Sequence, residues 1–250
     1  MNRSTWNKFI KARERFRLVV AEIGSALPRL MKIQQQLVDS RSVVKTAAYT
    51  VETPVVYNSA LDDVSIGDEI KLILVADNPG RREQAAENRR YLTGLSGKIA
   101  EKFFCDNPAL EIDFRKNVII LNKTPIHSPR TVELRELCRL DTDGSLAAVL
   151  KESQRTMTSL LFEFYNALNA RIWITGYSEM KRGGIFEVYT ETLKTLCATS
   201  GQINKNILFF RHFSMNQFTI DLKKQSLPGE TTAESLYRIG TAYRQRILGI

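Results

Sequence analysis

The sequence predicts an α/β fold, a three-layer sandwich with a central, mainly parallel four-stranded sheet flanked by helices. Three observations carry that expectation. Four short apolar runs recur at 71–75, 117–121, 171–175 and 206–210, each stopped by polar or turn-forming residues. They are continuous rather than alternating, as strands buried on both faces of a parallel sheet are. Helical spacings separate them, at about 83–104, 131–139, 146–169 and 178–199, and strand–helix alternation is the signature of a layered sheet with right-handed crossovers.

Taken in order, residues 5–40 read as helical. Phe9, Phe16, Val19, Val20 and Ile23 form an apolar stripe, Gly24 and Pro28 break it, and a second helix covers 30–38. Residues 49–66 read as a connection with a short strand near Val55–Tyr57. The first sheet strand, 71–75, stops at Asp77-Asn78-Pro79-Gly80, strong turn chemistry. The second, 117–121, stops at Asn122 and Pro125; the third, 171–175, at Gly176; the fourth, 206–210, at Arg211-His212. A last helix, 232–248, follows Thr231 and Thr232 with Glu234 in capping position. The 250 residues, 43% of them hydrophobic, suffice for one large core. The expected organisation is a basic helical N-terminal extension, 1–50, on an α/β domain, 51–250.

The formal net charge of +9 favours a polyanionic partner. Residues 1–48 hold ten Lys or Arg, Lys45 among them, against Glu14, Glu22 and Asp39, a difference of +7. A phosphate-contacting arm and a solvated helix face are both open readings. Cys105, Cys138 and Cys197 lie far apart without a CxxC pair, so no metal cluster or other cofactor is expected. The sparse thiols and the lack of a signal-like or membrane-length apolar run lead to the expectation of a cytoplasmic protein without a membrane partner.

In an open parallel sheet ligands bind beyond the carboxyl ends of the strands. That rule selects Asp77-Asn78-Pro79-Gly80, Asn122-Lys123 and Arg211-His212-Phe213-Ser214 as parts of one cleft. Pro79 fixes its φ and Gly80 permits close backbone approach; a helix following them would turn its free N–H groups toward an anion. Arg81 and Arg82 stand directly after the turn, where a basic group can meet a phosphate. For Lys123 and Arg130, phosphate contact and solvated loop charge are both open. His127, in the rigid loop 124–129, reads either as a cleft-lining group or as a satisfied polar residue.

These segments resemble the uracil-DNA glycosylase superfamily. Ala76-Asp77-Asn78-Pro79-Gly80 is similar to the first motif, Gly-x-Asn-Pro-Gly, of the mismatch-specific and single-strand-selective branches. Arg90-Tyr91-Leu92-Thr93-Gly94-Leu95-Ser96-Gly97 resembles the Arg-Pro-Phe-Val-Gly-x-x-Gly segment of the iron–sulfur branch, whose cluster cysteines this chain lacks. Val118–Asn122 resembles the strand ending in a base-reading Asn, and His212-Phe213-Ser214 the His-Pro-Ser motif. The ordered set spans about 70–218, somewhat over half the chain. Ala76 and Phe213 depart from it, standing where the family has Gly and Pro.

The resemblance implies DNA, single- or double-stranded, as partner and base excision as activity. Asn78 would position the attacking water, with Asp77 as an alternative base. Asn122 would read the base edge. Tyr91 or Leu92 would stack on the flipped base. His212 would steady the charge on the leaving base, and Ser214 and Met215 would contact DNA, Met215 as the wedge. Chemically, an N-glycosidic bond breaks to a cationic sugar and an anionic base, so a donor must meet the base and a water the sugar. A carboxamide such as Asn78 can orient that water but cannot take its proton. Two functions follow: hydrolysis of the N-glycosidic bond of uracil or a damaged base, or nucleic-acid binding by a weak or inactive protein on the same scaffold. A small-molecule enzyme ranks last, because the first turn lacks a Gly-rich nucleotide pattern.

Overall fold

The computed structural model describes residues 1–42, 49–201 and 203–250, the side chain of Ser42 excepted; Lys45 lies outside the described residues. Four parallel strands form the sheet: β1 (Leu72–Ala76), β2 (Val118–Asn122), β3 (Arg171–Thr175) and β4 (Ile207–Phe210), in the order β2-β1-β3-β4. Every residue of β1 and β2 is buried, the condition that their unbroken apolar runs anticipate. The register sets Leu74 beside Ile120 and Trp173, and Ala76 beside Asn122.

Connectivity decides the layers. The chain leaves β1 through α3 (Leu95–Asp106) to β2 on one side, then passes back over β1 through α4 (Glu133–Leu140) and α5 (Ser145–Leu168) to β3. It continues through α6 (Glu187–Thr199) to β4. Right-handed crossovers running in opposite directions place α3 on one face and α5 and α6 on the other. On the α3 face the Trp173 ring stacks on Phe104, 5.4 Å between centroids, and on Phe218 of α7 (Gln217–Gln225), 5.9 Å. There α8 (Thr232–Leu248) lies on β4: a Cβ at Gly240 would fall 2.7 Å from the Leu208 side chain, so only glycine allows that approach. The capping box expected at Thr231 and Glu234 is formed.

The N-terminal segment is not an extension. α1 (Arg3–Ala26) buries Phe9, Ala12, Phe16, Val19 and Ile23 in the same core as the sheet. Phe9 meets Phe164 of α5 edge-on at 5.6 Å, and Phe16 lies 5.2 Å from Tyr57. Burying Phe9, Phe16, Val19 and Ile23 supplies on the order of 10 kcal/mol of transfer free energy. The boundary expected at residue 50 therefore divides one core. Much of the charge there is also engaged: Arg13 and Arg17 pair with Asp62, and Arg15 with Glu163. α2 (Leu30–Ser42) is tied through Arg41 to Glu133 and Glu136 of α4.

Three further local expectations change. α1 runs through Gly24 to Ala26, with Leu27 as its C-cap just before Pro28. The helix expected from 83 begins at Leu95; 81–94 is a chain of turns in which Arg89 and Leu92 take left-handed φ of 43° and 52°. The strand expected at Val55–Tyr57 is reduced to one antiparallel bridge between Val55 and Ile126. No described helix is long and apolar enough to cross a membrane.

Candidate functional site

The sheet has one topological switch point, between β1 and β3, because β1 is followed by a connection to one side and β3 by a connection to the other. Such a point opens a crevice at the carboxyl ends of the two strands. Asp77, the first residue beyond β1, sits there. Its Oδ1 accepts a hydrogen bond from Lys123 Nζ at 2.5 Å, and its Oδ2 accepts one from Thr131 Oγ1 at 3.1 Å. Across the crevice Gly176 has φ +77°, and a Cβ added to it would lie 2.4 Å from Asp77 Oδ1. Glycine is required here on both counts.

Lys123 leaves the end of β2, crosses the end of β1 and reaches β3. Its ammonium group donates to Asp77 Oδ1, to Thr175 O at 2.6 Å and to Ala76 O at 3.4 Å, which uses all three N–H groups. It is 0% exposed while Asp77 retains 13% exposure. Burial pushes its pKa below the usual lysine value, and the Asp77 carboxylate opposes that shift. Lys123 thus cannot contact a DNA phosphate, because no part of it reaches solvent and its donors are consumed within the protein.

Asn78 is held by Ser128, its Nδ2 donating to Ser128 O and Oγ, each at 3.0 Å. That orientation leaves its Oδ1 without a donor among the described residues. His212, beyond β4, accepts a hydrogen bond on Nδ1 from the Ser214 N–H at 3.0 Å, so the neutral ring carries its proton on Nε2. Burial lowers its pKa below the ordinary value; the Asp77 carboxylate raises it and the Lys123 ammonium lowers it further. The imidazole is therefore neutral at pH 7 and an N–H donor. Asp77, Lys123 and His212, drawn from three strand ends, form one electrostatic group, and Asn78 follows Asp77 on the first of them.

Asn122 ends β2 fully buried, and its Nδ2 finds no hydrogen-bond partner. Ser214 is partly exposed, and Met215 stands out with 77% exposure at a left-handed φ of 51°. Arg81 and Arg82 are exposed and line a groove of about 720 Å³ with Tyr49, Asn88 and Thr93; the Arg81 guanidinium lies over the Tyr49 ring at 4.8 Å.

Tyr91 and Leu92 are not placed to stack on a base. Tyr91 is 1% exposed, its ring beside Phe16 and its hydroxyl donating to Val56 O at 2.6 Å. Leu92 is buried as well, with its N–H given to Glu83 and its carbonyl to Arg115. The Gly80 N–H does not await an anion either, since Glu83 Oε2 accepts it at 3.1 Å. His127 is a satisfied polar residue: Nδ1 donates to Pro79 O at 2.8 Å and Nε2 accepts from the Tyr49 hydroxyl at 2.9 Å. Burial takes its pKa down to about 4.

Sequence reasoning passed over Glu83, Thr131 and Gly176. Glu83 is 7% exposed and holds the first turn to the 90–94 loop through Gly80 and Leu92. Burial raises its pKa to about 7 against the pull of those backbone bonds. Its signal was the Gly-x-x-Glu spacing from Gly80, the reach of a capping box. Thr131 and Gly176 carry no local signal, because both are defined by where Asp77 lies in space. Among the described residues no cluster of three His, Cys, Asp or Glu side chains is arranged to hold a metal ion.

Exposed basic residues follow every strand in the sequence: Arg81, Arg82 and Arg89 after β1, Arg130 after β2, Lys181 and Arg182 after β3, and Arg211 after β4, with Arg130 paired to Glu133 and Arg211 to Asp221. No protein-family model matches the chain, and no curated protein or solved structure is significantly similar to it.

Proposed function

We propose that this protein is a DNA base-excision hydrolase, cleaving the N-glycosidic bond of uracil or a damaged base. The observation that carries the reading is an oriented acceptor after β1 and a neutral donor after β4, both beyond carboxyl ends of the same parallel sheet. Asn78 Oδ1 is turned away from Ser128 and free to hold a water. His212 offers Nε2–H while its Nδ1 is occupied. Glycosidic hydrolysis needs those two groups, one toward the sugar and one toward the departing base. The Asp77 carboxylate supplies negative charge beside a developing sugar cation, and the net charge of +9 favours a polyanionic substrate. Exposed Met215 suits a wedge that fills the space of an extruded base.

A second reading, DNA binding without catalysis, draws on the ion pair itself. Asp77 is committed to Lys123, and Tyr91 is locked in the core, so neither a free carboxylate base nor that stacking ring is on offer.

Oligonucleotides carrying one uracil, hypoxanthine or xanthine, single- and double-stranded, are incubated with the protein and treated with alkali. Cleavage above background, lost by about a hundredfold or more in Asn78→Ala with DNA affinity retained, is the expected result. Salt-dependent binding with no cleavage of any of the three bases would leave the second reading standing and remove the first.

A further inference from the structure

A cleft of about 360 Å³ lies between α4, the start of α5 and the loop leading into α6. It starts one helical turn beyond Thr131, the residue that bonds Asp77, and so runs outward from the switch-point crevice. Its walls are apolar, formed by Ala147, Leu150, Ile185 and Val188. Three cations face it: Arg135, Arg139 and Lys151. Arg135 is spent on Glu179 and on Gly183 O, which fixes α4 to the loop after β3. Arg139 and Lys151 are exposed and make no hydrogen bond or ion pair with a described residue. The acid at the cleft, Glu187, is turned toward the Gly183 N–H at 3.0 Å.

Two unpaired cations over apolar walls are a receptor for an anion that also has an apolar side. Low-polarity walls strengthen the attraction by excluding water. Arg139 on α4 and Lys151 on α5 stand on the two helices that flank the cleft, so an extended polyanion lying in it meets a cation from each wall. We infer that this cleft carries the phosphodiester backbone of the DNA strand next to the base-binding crevice, with Arg139 and Lys151 as its phosphate contacts. The inference rests on the reading that the crevice takes DNA, and it adds a direction: the flanking strand leaves along α4, between α4 and the 181–186 loop.

Each phosphate neutralised on a single strand contributes about 0.7 to the slope of log affinity against log salt. Affinity of the wild type, of Arg139→Ala with Lys151→Ala, and of Lys116→Ala is measured for a single-stranded deoxyoligonucleotide across a salt series. Lys116 lies before β2, at the opposite end of the sheet from the crevice. The double variant is expected to lose about 1.4 from the slope and to bind more weakly at low salt, while Lys116→Ala matches the wild type. Unchanged slope and affinity in the double variant overturn the α4 track and leave DNA binding intact. Failure of the wild type to bind overturns the track together with the function it rests on. Melting temperatures accompany each variant, and Arg139→Gln with Lys151→Gln replaces the alanine pair if that pair unfolds.

Discussion

Replacing Lys123 by Met tests the site's central electrostatic pair. Methionine keeps an unbranched chain of similar reach and removes the charge. The loss has two parts. Asp77, 13% exposed, keeps its charge without a cation and retains only the Thr131 hydroxyl as donor among the described residues, and the Thr175 carbonyl, bonded at 2.6 Å, loses its donor. Breaking a buried ion pair from one side costs about 3–5 kcal/mol. Lys123→Met should therefore lower the unfolding free energy by about that amount, read as a shift of the urea midpoint with the slope unchanged. Replacing the whole pair by neutral groups is far less costly, so adding Asp77→Asn should restore part of the stability rather than reduce it again. A double-mutant cycle isolates the coupling, expected at about 2 kcal/mol or more between groups in contact. If the two single losses simply add, the pair contributes nothing as a pair, and the account of Lys123 as the anchor of Asp77 is refuted.

Three other outcomes follow. Glu83 binds its proton more tightly folded, near pH 7, than its ordinary value of 4.5; the stability it contributes is full below about 4.5 and is lost as pH rises through 7, roughly 3 kcal/mol in all. Urea unfolding at pH 5 and pH 8 should show that loss in the wild type and a flatter dependence in Glu83→Gln. Gly176→Ala brings a Cβ onto Asp77 Oδ1 at a positive φ, so a loss of about 1–3 kcal/mol in thermal unfolding is expected, and a neutral result would mean that the crevice is looser than described. Tyr91→Phe removes the hydroxyl bond to Val56 O; it should cost about 1–3 kcal/mol of stability and leave DNA affinity unchanged, whereas a selective loss of affinity would return Tyr91 to the binding surface.

Much of the sheet was legible because its signal is local. An unbroken apolar run such as Ile207–Phe210 needs cover on both faces, and the polar residue after it marks a carboxyl end, which the switch-point rule turns into a candidate site. The turn segment 81–94 was not legible as turns. Its small and polar residues suit a helix, yet the Glu83 carboxylate takes the Gly80 and Leu92 N–H groups and the chain bends around it. Tyr91 looked available because what covers it lies elsewhere in the chain: Phe16, on a helix expected to stand apart. Lys123 looked like a surface cation because its burial depends on Thr175, a residue on another strand. Depth is a tertiary quantity, and period and composition report only which residues can share a face.

The seating of α1 has a consequence for how the chain is made. Its apolar stripe is completed by α5: Phe9 waits for Phe164, which is translated much later. At about 5–20 residues per second, α1 is made roughly 8–30 seconds before its α5 partner. During that interval Phe9 lacks its α5 partner, while Phe16 can already meet Tyr57 and Tyr91. Closing the contact between α1 and α5 thus spans more than half of the sequence, a non-local step that slows folding.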